Sequence, residues 1–562
     1  MKQNMNFTKL SLLGIVQASI LLYYPFSICQ AASLMVDQYN IEAVQQMPNL
    51  PQPLHIRNWK KLTQEYIHFV FNPEAKGKYL PLVWILPYSD NTGKPCFGIS
   101  SYVGDNKQST ANAEGIAALS SVLSGELVGE NLQSGKYNYV KMCEAFYNRH
   151  NGTDLVLNNL DSAGSGSFWY DIWPQILFDA ISYKCPNSIS MRNIMKRSSL
   201  QWAGVTSKMV NGEGKPDFNY TGFNFKTRKP VKNGKWTEPD SAAGIAWIEF
   251  AAWTRFHNPA FLTSAKTCES FLSQESINPL YENLLPWGVV TAARMNAEIH
   301  THYPLNKMLN WCFGTSAVRP GWGMIEQKWG HYDCYGLIGS TTDHGGYAFA
   351  MNSFAQAGAL LPIVRYAPQY ATAIGKWMLN LTNAARLFYS NQLPASHNFG
   401  GEWSADPLDV IACEGLRVSW NGDSPCATGD PLTYNWGPKT NLAVYGSSYC
   451  GMLGAVVQTT NVPGILKLDC LKTDFDHGTA FPTYLFYNPY SVTKRVKVIL
   501  TGGRKLLYDA VSRKIINKSA AKQEWLEIAP HSACLLVEIP AADKHNMVNG
   551  NFVANGIVAA YR

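Results

Sequence analysis

The feature that most constrains this chain is a helical hairpin that recurs along it. Residues 236–274 read WTEPDSAAGIAWIEFAAWTRFHNPAFLTSAKTCESFLSQ. Over residues 243–256, Ile245, Trp247, Ile248, Phe250, Ala251 and Trp253 place apolar groups on nearly every side, which predicts a helix buried all round. After the break the pattern narrows to one stripe, Phe261, Ala265, Cys268 and Leu272, which predicts a helix with one face in water. Only His257-Asn258-Pro259 separates the two, a connection too short for anything but an antiparallel turn. The unit is therefore a hairpin with an inner and an outer arm.

The same unit returns elsewhere. Residues 168–183 lead through Cys185-Pro186-Asn187 into 189–202, and residues 287–302 lead through Tyr303-Pro304 into 305–313. Residues 347–365 give way at Ala367-Pro368 to 370–389, whose Ile374, Trp377, Met378, Leu381, Ala385 and Phe388 form another single stripe. Residues 113–127 and 137–151 read as a first hairpin, and 447–457 as an eleventh helix whose partner is short or missing. About six hairpins result, spaced by roughly 60 residues, longer than the short solenoid repeats. Connections from inner to outer arms are short and carry Pro. Those leading into inner arms are long and rich in Gly, Ser and aromatics, so they gather at the inner N-termini on one face, where chemistry is expected.

The flanks read differently. In residues 1–32, Lys2 and Lys9 precede the apolar run 10–24, and Cys29-Gln30-Ala31 offers small residues for cleavage, which predicts a signal peptide and an exported, secreted or periplasmic protein without a stable membrane anchor. Residues 33–110 form a lead-in, 111–460 the helical body, 461–545 a β-sandwich of short strands between turn residues such as Asn488-Pro489 and Gly502-Gly503, and 546–562 a tail. The sandwich serves either as a lid on the last hairpin or as a carbohydrate-binding module. The net charge of +7 falls by two when Lys2 and Lys9 leave, and no basic run concentrates it, so nucleic acid is excluded as a natural partner while acidic sugars are not. Of 12 cysteines, Cys413 with Cys426 and Cys470 with Cys534 are pairs that export would permit.

No G-x-S-x-G elbow, H-E-x-x-H, Walker loop or dinucleotide fingerprint is present. His300-Thr301-His302 would point its two rings apart on a helix, so no metal site and no cofactor are expected. Carboxylates and aromatics at the mouths of inner arms remain. Asp171 lies in FWYDIWP, beside Trp169 and Tyr170; Asp240 reads as a helix N-cap. Asp343 opens DHGGY, with His344 and Tyr347, and is either a cap or a working group. The stretch 319–335 supplies Trp322, Glu326, Trp329, His331 and Asp333 in one long loop, a mixture of flat rings and hydrogen-bonding groups suited to a sugar. Inside an inner arm, Arg294 either pairs with Glu298 four residues on or faces the lumen to hold a substrate carboxylate. Glu282 and Glu402, with Asp406, are further loop carboxylates.

The W-Y-D-I-W-P and D-H-G-G-Y stretches, the E-P-D-S-A-A-G-I-A-W-I-E hairpin and the trailing β-rich segment with Tyr487-Asn488-Pro489-Tyr490 and Leu507-Tyr508-Asp509 resemble those of (α/α)6-toroid glycosidases. More narrowly, residues 55–540 are similar to bacterial exported six-hairpin proteins grouped with the glycoside hydrolases, some of which act on glucuronic acid. The resemblance implies a mainly α fold, an (α/α)6 toroid of helical hairpins with a small C-terminal β-sandwich domain, acting on a carbohydrate substrate. Hydrolysis needs one carboxylic acid and a second carboxylate, about 5 Å apart for retention or about 6.5–9.5 Å for inversion. Asp171 and Asp343 are the expected pair, with Glu282 and Glu298 in reserve; Trp169, Tyr170, Trp322 and Tyr347 are expected sugar platforms, and His344 and Arg294 ligands for a uronate. A polysaccharide lyase using Tyr347 and His344, and a non-catalytic glycan-binding protein, are the alternatives. Oligomeric state is not legible.

Overall fold

The computed structural model describes residues 35–562 except 87–92, 94, 106, 107, 109–111, 404, 405, 407 and 436. The expected signal peptide lies outside the described residues. Among them, no helix is long and apolar enough to cross a membrane.

The founding hairpin forms for the reasons its sequence suggests. The inner helix Ser241–Phe256 is buried from Ser241 through Ala252, and His257 ends it in the left-handed conformation (φ 55°). Asn258 then caps the outer helix Pro259–Gln274 by accepting the Ala260 N–H, with Pro259 in the first turn, where its missing N–H is not needed. Equivalent inner helices among the described residues are Gly115–Val128, Phe168–Lys184, Leu285–Ile299, Ala350–Leu360 and Cys450–Val456. Each packs on the next, and Cys450–Val456 packs back on Gly115–Val128, so the six close into a toroid. Closure depends on glycine: a Cβ on Gly451 would collide with the Ser124 backbone, and one on Gly454 with the Thr63 hydroxyl.

Several expectations change. The outer arm expected at 137–151 is only Tyr139–Met142 and a 3-10 turn Cys143–Phe146, because the turn residues from Arg149 to Gly152 stop it. The partner missing from the sixth inner helix comes from the lead-in: Trp59–Val70 packs on both Cys450–Val456 and Gly115–Val128. The rest of the lead-in is a strap. Asn380 donates to the Pro48 carbonyl (2.9 Å) and Asn383 accepts the His55 N–H (2.8 Å), so Ala371–Ala384, expected to show one wet face, is buried on nearly all sides. Residues 319–335 are not one loop. Trp322–Met324 is the edge of a five-stranded antiparallel sheet that continues through Ile338–Ser340, Tyr347–Phe349, Gly415–Arg417 and Cys426–Thr428. That sheet stands at the mouth, since Tyr347–Phe349 runs directly into Ala350–Leu360.

The C-terminal domain is a sandwich. A six-stranded antiparallel sheet, ordered Val457–Thr459, Leu466–Asp469, Thr483–Tyr487, Ala533–Pro540, Lys505–Asp509, Lys514–Ala520, faces the pair Lys494–Ile499 and Gln523–Ile528. Val496, Val498, Leu526 and Ile528 fill the space against Phe486, Leu507 and Leu536. The expected tail is instead a three-stranded meander, His545–Val548, Asn551–Ala554 and Ile557–Ala560, turned at Asn549-Gly550 and Asn555-Gly556 with positive φ at all four residues. Phe552 stacks on Tyr508 at 4.0 Å. Cys413, Cys426, Cys470 and Cys534 are buried and free, so neither of the pairs that export would permit is bonded.

One segment between sandwich strands has a second role. At the C-terminal ends of the inner helices, Asp474, Phe475 and Asp476 enter the toroid and close it. Arg255 pairs with Asp476 (2.7 Å), Arg365 with Asp474, and Arg294 donates to the Phe475 (3.3 Å) and Asp476 (3.2 Å) carbonyls. Phe475 stacks on Trp287 (6.2 Å, 19°), Trp287 meets Trp173 edge-on (5.8 Å), and Trp173 stacks on Trp169 (5.2 Å). The axis is thus an aromatic column and not a pore. Phe475→Ala should lower the unfolding free energy by about 3–5 kcal/mol, read from the denaturant midpoint. An unchanged midpoint would mean the plug adds nothing to stability.

Candidate active site

At the opposite end, among the loops entering the inner helices, a cavity of about 400 Å³ opens to solvent. That volume is within the range of small-ligand pockets. Trp84, Trp169, Trp322 and Phe349 give it flat walls, and Tyr102, Tyr170 and Tyr445 give it hydroxyls. Its carboxylates are Asp105, Glu114 and Glu282, and its cation among the described lining residues is Arg319.

Glu282 is the most constrained of these. One oxygen pairs with the Arg319 guanidinium and the other accepts from the Asn352 amide at 2.8 Å. Arg319 lies 3.9 Å from the centre of the Trp322 ring, and the Trp322 indole N–H donates to the Glu282 carbonyl at 3.3 Å. Glu282 follows Tyr281 in a loop pinned from below by Asp240. The Asp240 carboxylate accepts the Tyr281 (3.1 Å) and Glu282 (3.4 Å) backbone N–H groups and makes no side-chain cap to its own helix, so the expected N-cap role is replaced by a loop-holding one. Burial pushes the Asp240 carboxyl up to about 7.

Glu238 does for Trp169 what Asp240 does for Glu282. It accepts the Trp169 backbone N–H (2.7 Å) and the Ser167 hydroxyl (2.8 Å), which orients the first turn of Phe168–Lys184. Burial, and then the charges of Asp240 and Glu282, push its carboxyl up to about 8. Glu114 stands immediately before Gly115–Val128, and its carboxylate accepts the Ser101 hydroxyl at 2.6 Å. Burial pushes Glu114 up, the Ser101 hydrogen bond opposes this, and the charge of Asp105 adds to it. Behind the wall, Glu414 accepts from three phenols, Tyr102 (2.5 Å), Tyr445 (2.9 Å) and Tyr347 (2.8 Å), which fixes the first two against the cavity.

Trp169, Tyr170, Trp322 and the reserve Glu282 are therefore brought together on one wall. The other expected residues lie elsewhere. Asp171 is 1 % exposed and turned to Ser165, whose N–H and hydroxyl it accepts at 2.8 and 3.0 Å; burial pushes it up to about 7. Asp343 shares Arg417 with Asp430 (3.1 and 2.8 Å) on the flanking sheet, and His344 beside it is exposed. Neither carboxylate lines the cavity, so the expected pair is not brought together there. Tyr347 is fully buried under the Arg417 guanidinium, 3.7 Å away. Arg294 makes the intrahelical pair with Glu298 (3.4 Å) and also reaches the lumen, where it is taken up by the plug carbonyls at the closed end and does not line the cavity. His300 terminates Leu285–Ile299 at φ 57°, and no cluster of three or more His, Cys, Asp or Glu residues with metal-binding geometry occurs among the described residues.

Trp84, Ser101, Tyr102, Glu114, Arg319, Asn352, Glu414 and Tyr445 were not singled out from the sequence. For Glu114 a signal existed, since it directly precedes an inner helix, at the end where the long loops gather.

No protein-family model and no curated protein matches the chain. Solved structures resemble it at low similarity. An unsaturated glucuronyl hydrolase specific for heparin has TM-score 0.35 and 10% identity, covering 71% of this chain and 96% of that one. A GH127 beta-L-arabinofuranosidase from Geobacillus stearothermophilus T6 has TM-score 0.35 and 9% identity, covering 90% and 85%. A further glycoside hydrolase has TM-score 0.34 and 8% identity, covering 79% and 77%. The chain is similar to these glycoside hydrolases at the level of overall fold.

Proposed function

We propose that this chain is an exported glycoside hydrolase that cleaves O-glycosyl bonds of oligosaccharides or polysaccharide side chains in the mouth cavity. The observation that carries the reading is the Glu282–Arg319–Trp322 stack sharing one blind cavity with Glu114. Glu114, whose burial favours the protonated form, is the general acid that protonates the leaving oxygen; the arginine-paired Glu282 is the base or nucleophile. The exposed Tyr170 ring offers a face on which a sugar stacks, the edges of Trp84, Trp169 and Trp322 give apolar contact, and the Tyr102 and Tyr445 hydroxyls hydrogen-bond its hydroxyls. Among the described lining residues three carboxylates stand with one guanidinium, which favours a neutral sugar ring over a uronate at the cleavage point.

The test is incubation of the full-length protein with aryl glycosides and with acidic and neutral oligosaccharides, following reducing ends and ultraviolet absorbance. New reducing ends without an unsaturated product support hydrolysis. An unsaturated product formed without water addition overturns it in favour of a lyase. Saturable binding with no turnover on any substrate overturns it in favour of a glycan-binding protein.

A further inference from the structure

The plugged end of the toroid carries a groove of its own, at the seam between the helical body and the C-terminal domain. It has a volume of about 570 Å³ and is lined by Tyr183, Lys184, Arg192, Arg255, Asp476 and His477. Phe168–Lys184, which has Trp169 at the mouth and Lys184 here, is 17 residues long, so the two sites are separated by about 25 Å of helix.

The charges in the groove do not balance. Arg255 is satisfied by Asp476 (2.7 Å) and Ser182 (2.9 Å). Among the described residues Lys184 donates to the Lys472 carbonyl (3.0 Å) and lies over the Tyr183 and Phe475 rings (5.8 and 5.7 Å), and Arg192 lies over the face of Phe256 (5.6 Å), which it shares with Lys196; neither is paired with a carboxylate. A second cavity of about 340 Å³ meets the first across Lys184 and Pro186 and adds Lys141. The excess positive field registers on two groups. Burial and the charge of Lys472 bring Lys184 down to about 8, with Asp469 and Glu126 opposing from below. Burial and the charges of Arg365, Arg294 and Lys184 bring His477 down to about 4, against a hydrogen bond to the Gly478 carbonyl.

We infer that this groove is a second, non-catalytic binding site for an acidic glycan chain, with Lys184 and Arg192 holding its carboxylates and Tyr183 lying against a sugar face. An extended anion fits better than a compact one, because the unbalanced cations are strung along two adjoining cavities instead of converging on a point. The His477 wall comes from the C-terminal domain, which thereby takes part in carbohydrate binding as well as in closing the toroid. Such a site would hold the enzyme on an acidic backbone while the mouth cavity works on neutral branches. The inference does not require the hydrolase reading, since binding is measured without turnover.

The experiment is calorimetric titration of the full-length protein with oligogalacturonate, with a neutral xylo-oligosaccharide and sodium sulfate as comparison probes. Wild type should bind oligogalacturonate, and rising NaCl should weaken it. The Lys184→Ala/Arg192→Ala double variant should lose at least about tenfold in affinity, while Glu282→Gln should bind as wild type. In proton NMR of wild type, His477 should titrate at higher pH with ligand bound, a readout a folding defect would not give. Equal affinity in the double variant, no preference over the neutral oligomer, or sulfate binding as tightly as the oligomer would each overturn the inference.

Discussion

Glu282→Gln should lower kcat by about a thousandfold on every substrate the enzyme accepts, while thermal unfolding stays near that of wild type. The amide keeps the shape and the Asn352 and Arg319 neighbours but can neither take a proton nor bond to the anomeric carbon. Glu114→Gln should behave differently. A natural sugar alcohol leaves only when protonated, so turnover on such substrates should fall by about 10²–10⁴, whereas an activated aryl glycoside needs no proton and should lose far less. The same variant should lose the alkaline limb of the pH profile, because the group whose deprotonation ends activity is gone. Asp171→Asn and Asp343→Asn, whose side chains do not line the cavity, should retain activity within a few fold. Loss of activity in these last two with full activity in Glu282→Gln would move the chemistry to the pair expected from the sequence.

What the sequence revealed and what it hid separate along a physical line. Hairpins were legible because their cause is local: an inner arm such as Ser241–Phe256 is apolar all round, and His257-Asn258-Pro259 contains the turn, the cap and the first helical residue together. That long loops enter inner arms followed from the same periodicity, and it drew Trp169, Tyr170, Trp322 and Glu282 to one end. Closure by Trp59–Val70 was hidden, because its partner Cys450–Val456 lies almost 400 residues away and nothing local marks it. The same holds for Glu414. Tyr347 reaches it through the pairing of Gly415–Arg417 with Tyr347–Phe349, and Tyr102 and Tyr445 arrive from two other segments, a convergence no single strand encodes. Asp171 and Asp343 misled for a different reason: a carboxylate at a helix mouth is as useful for holding a loop as for chemistry, and only the direction of its oxygens separates the two. Asn549-Gly550 and Asn555-Gly556, by contrast, are hairpin signals that were present in the expected tail.

Raising the pH from about 6 to about 8 should destabilise the protein, by on the order of 5 kcal/mol. Asp171 and Asp240 are pushed up to about 7 and Glu238 to about 8, in each case chiefly by burial, while the unfolded chain loses these protons near pH 4. Between those limits the folded state binds more protons than the unfolded one. The stability these acids contribute is therefore full below about pH 4 and lost as pH rises through their folded values. Asp179, Glu249 and Glu269 are raised in the same sense by burial. Two groups oppose the trend, mostly outside the chosen window. His477, held near 4, makes stability rise between about pH 4 and 6.5, and Lys184, held near 8, does so between about pH 8 and 10.4. Denaturant unfolding at pH 6 and pH 8 measures the slope, and Asp240→Asn and Glu238→Gln should each flatten it. The consequence reaches the site, because Glu238 and Asp240 hold Trp169 and Glu282 in place. As these two acids ionise, buried like charges gather beside Glu282, and the loops that shape the cavity lose their anchors before the toroid does. Activity should then fall with the same midpoint as the stability of those loops, read by hydrogen exchange at Tyr281 and Glu282. A flat stability between pH 6 and 8, or one that rises, would mean these carboxyls are ionised in the folded protein and are neutralised by groups other than those that touch them.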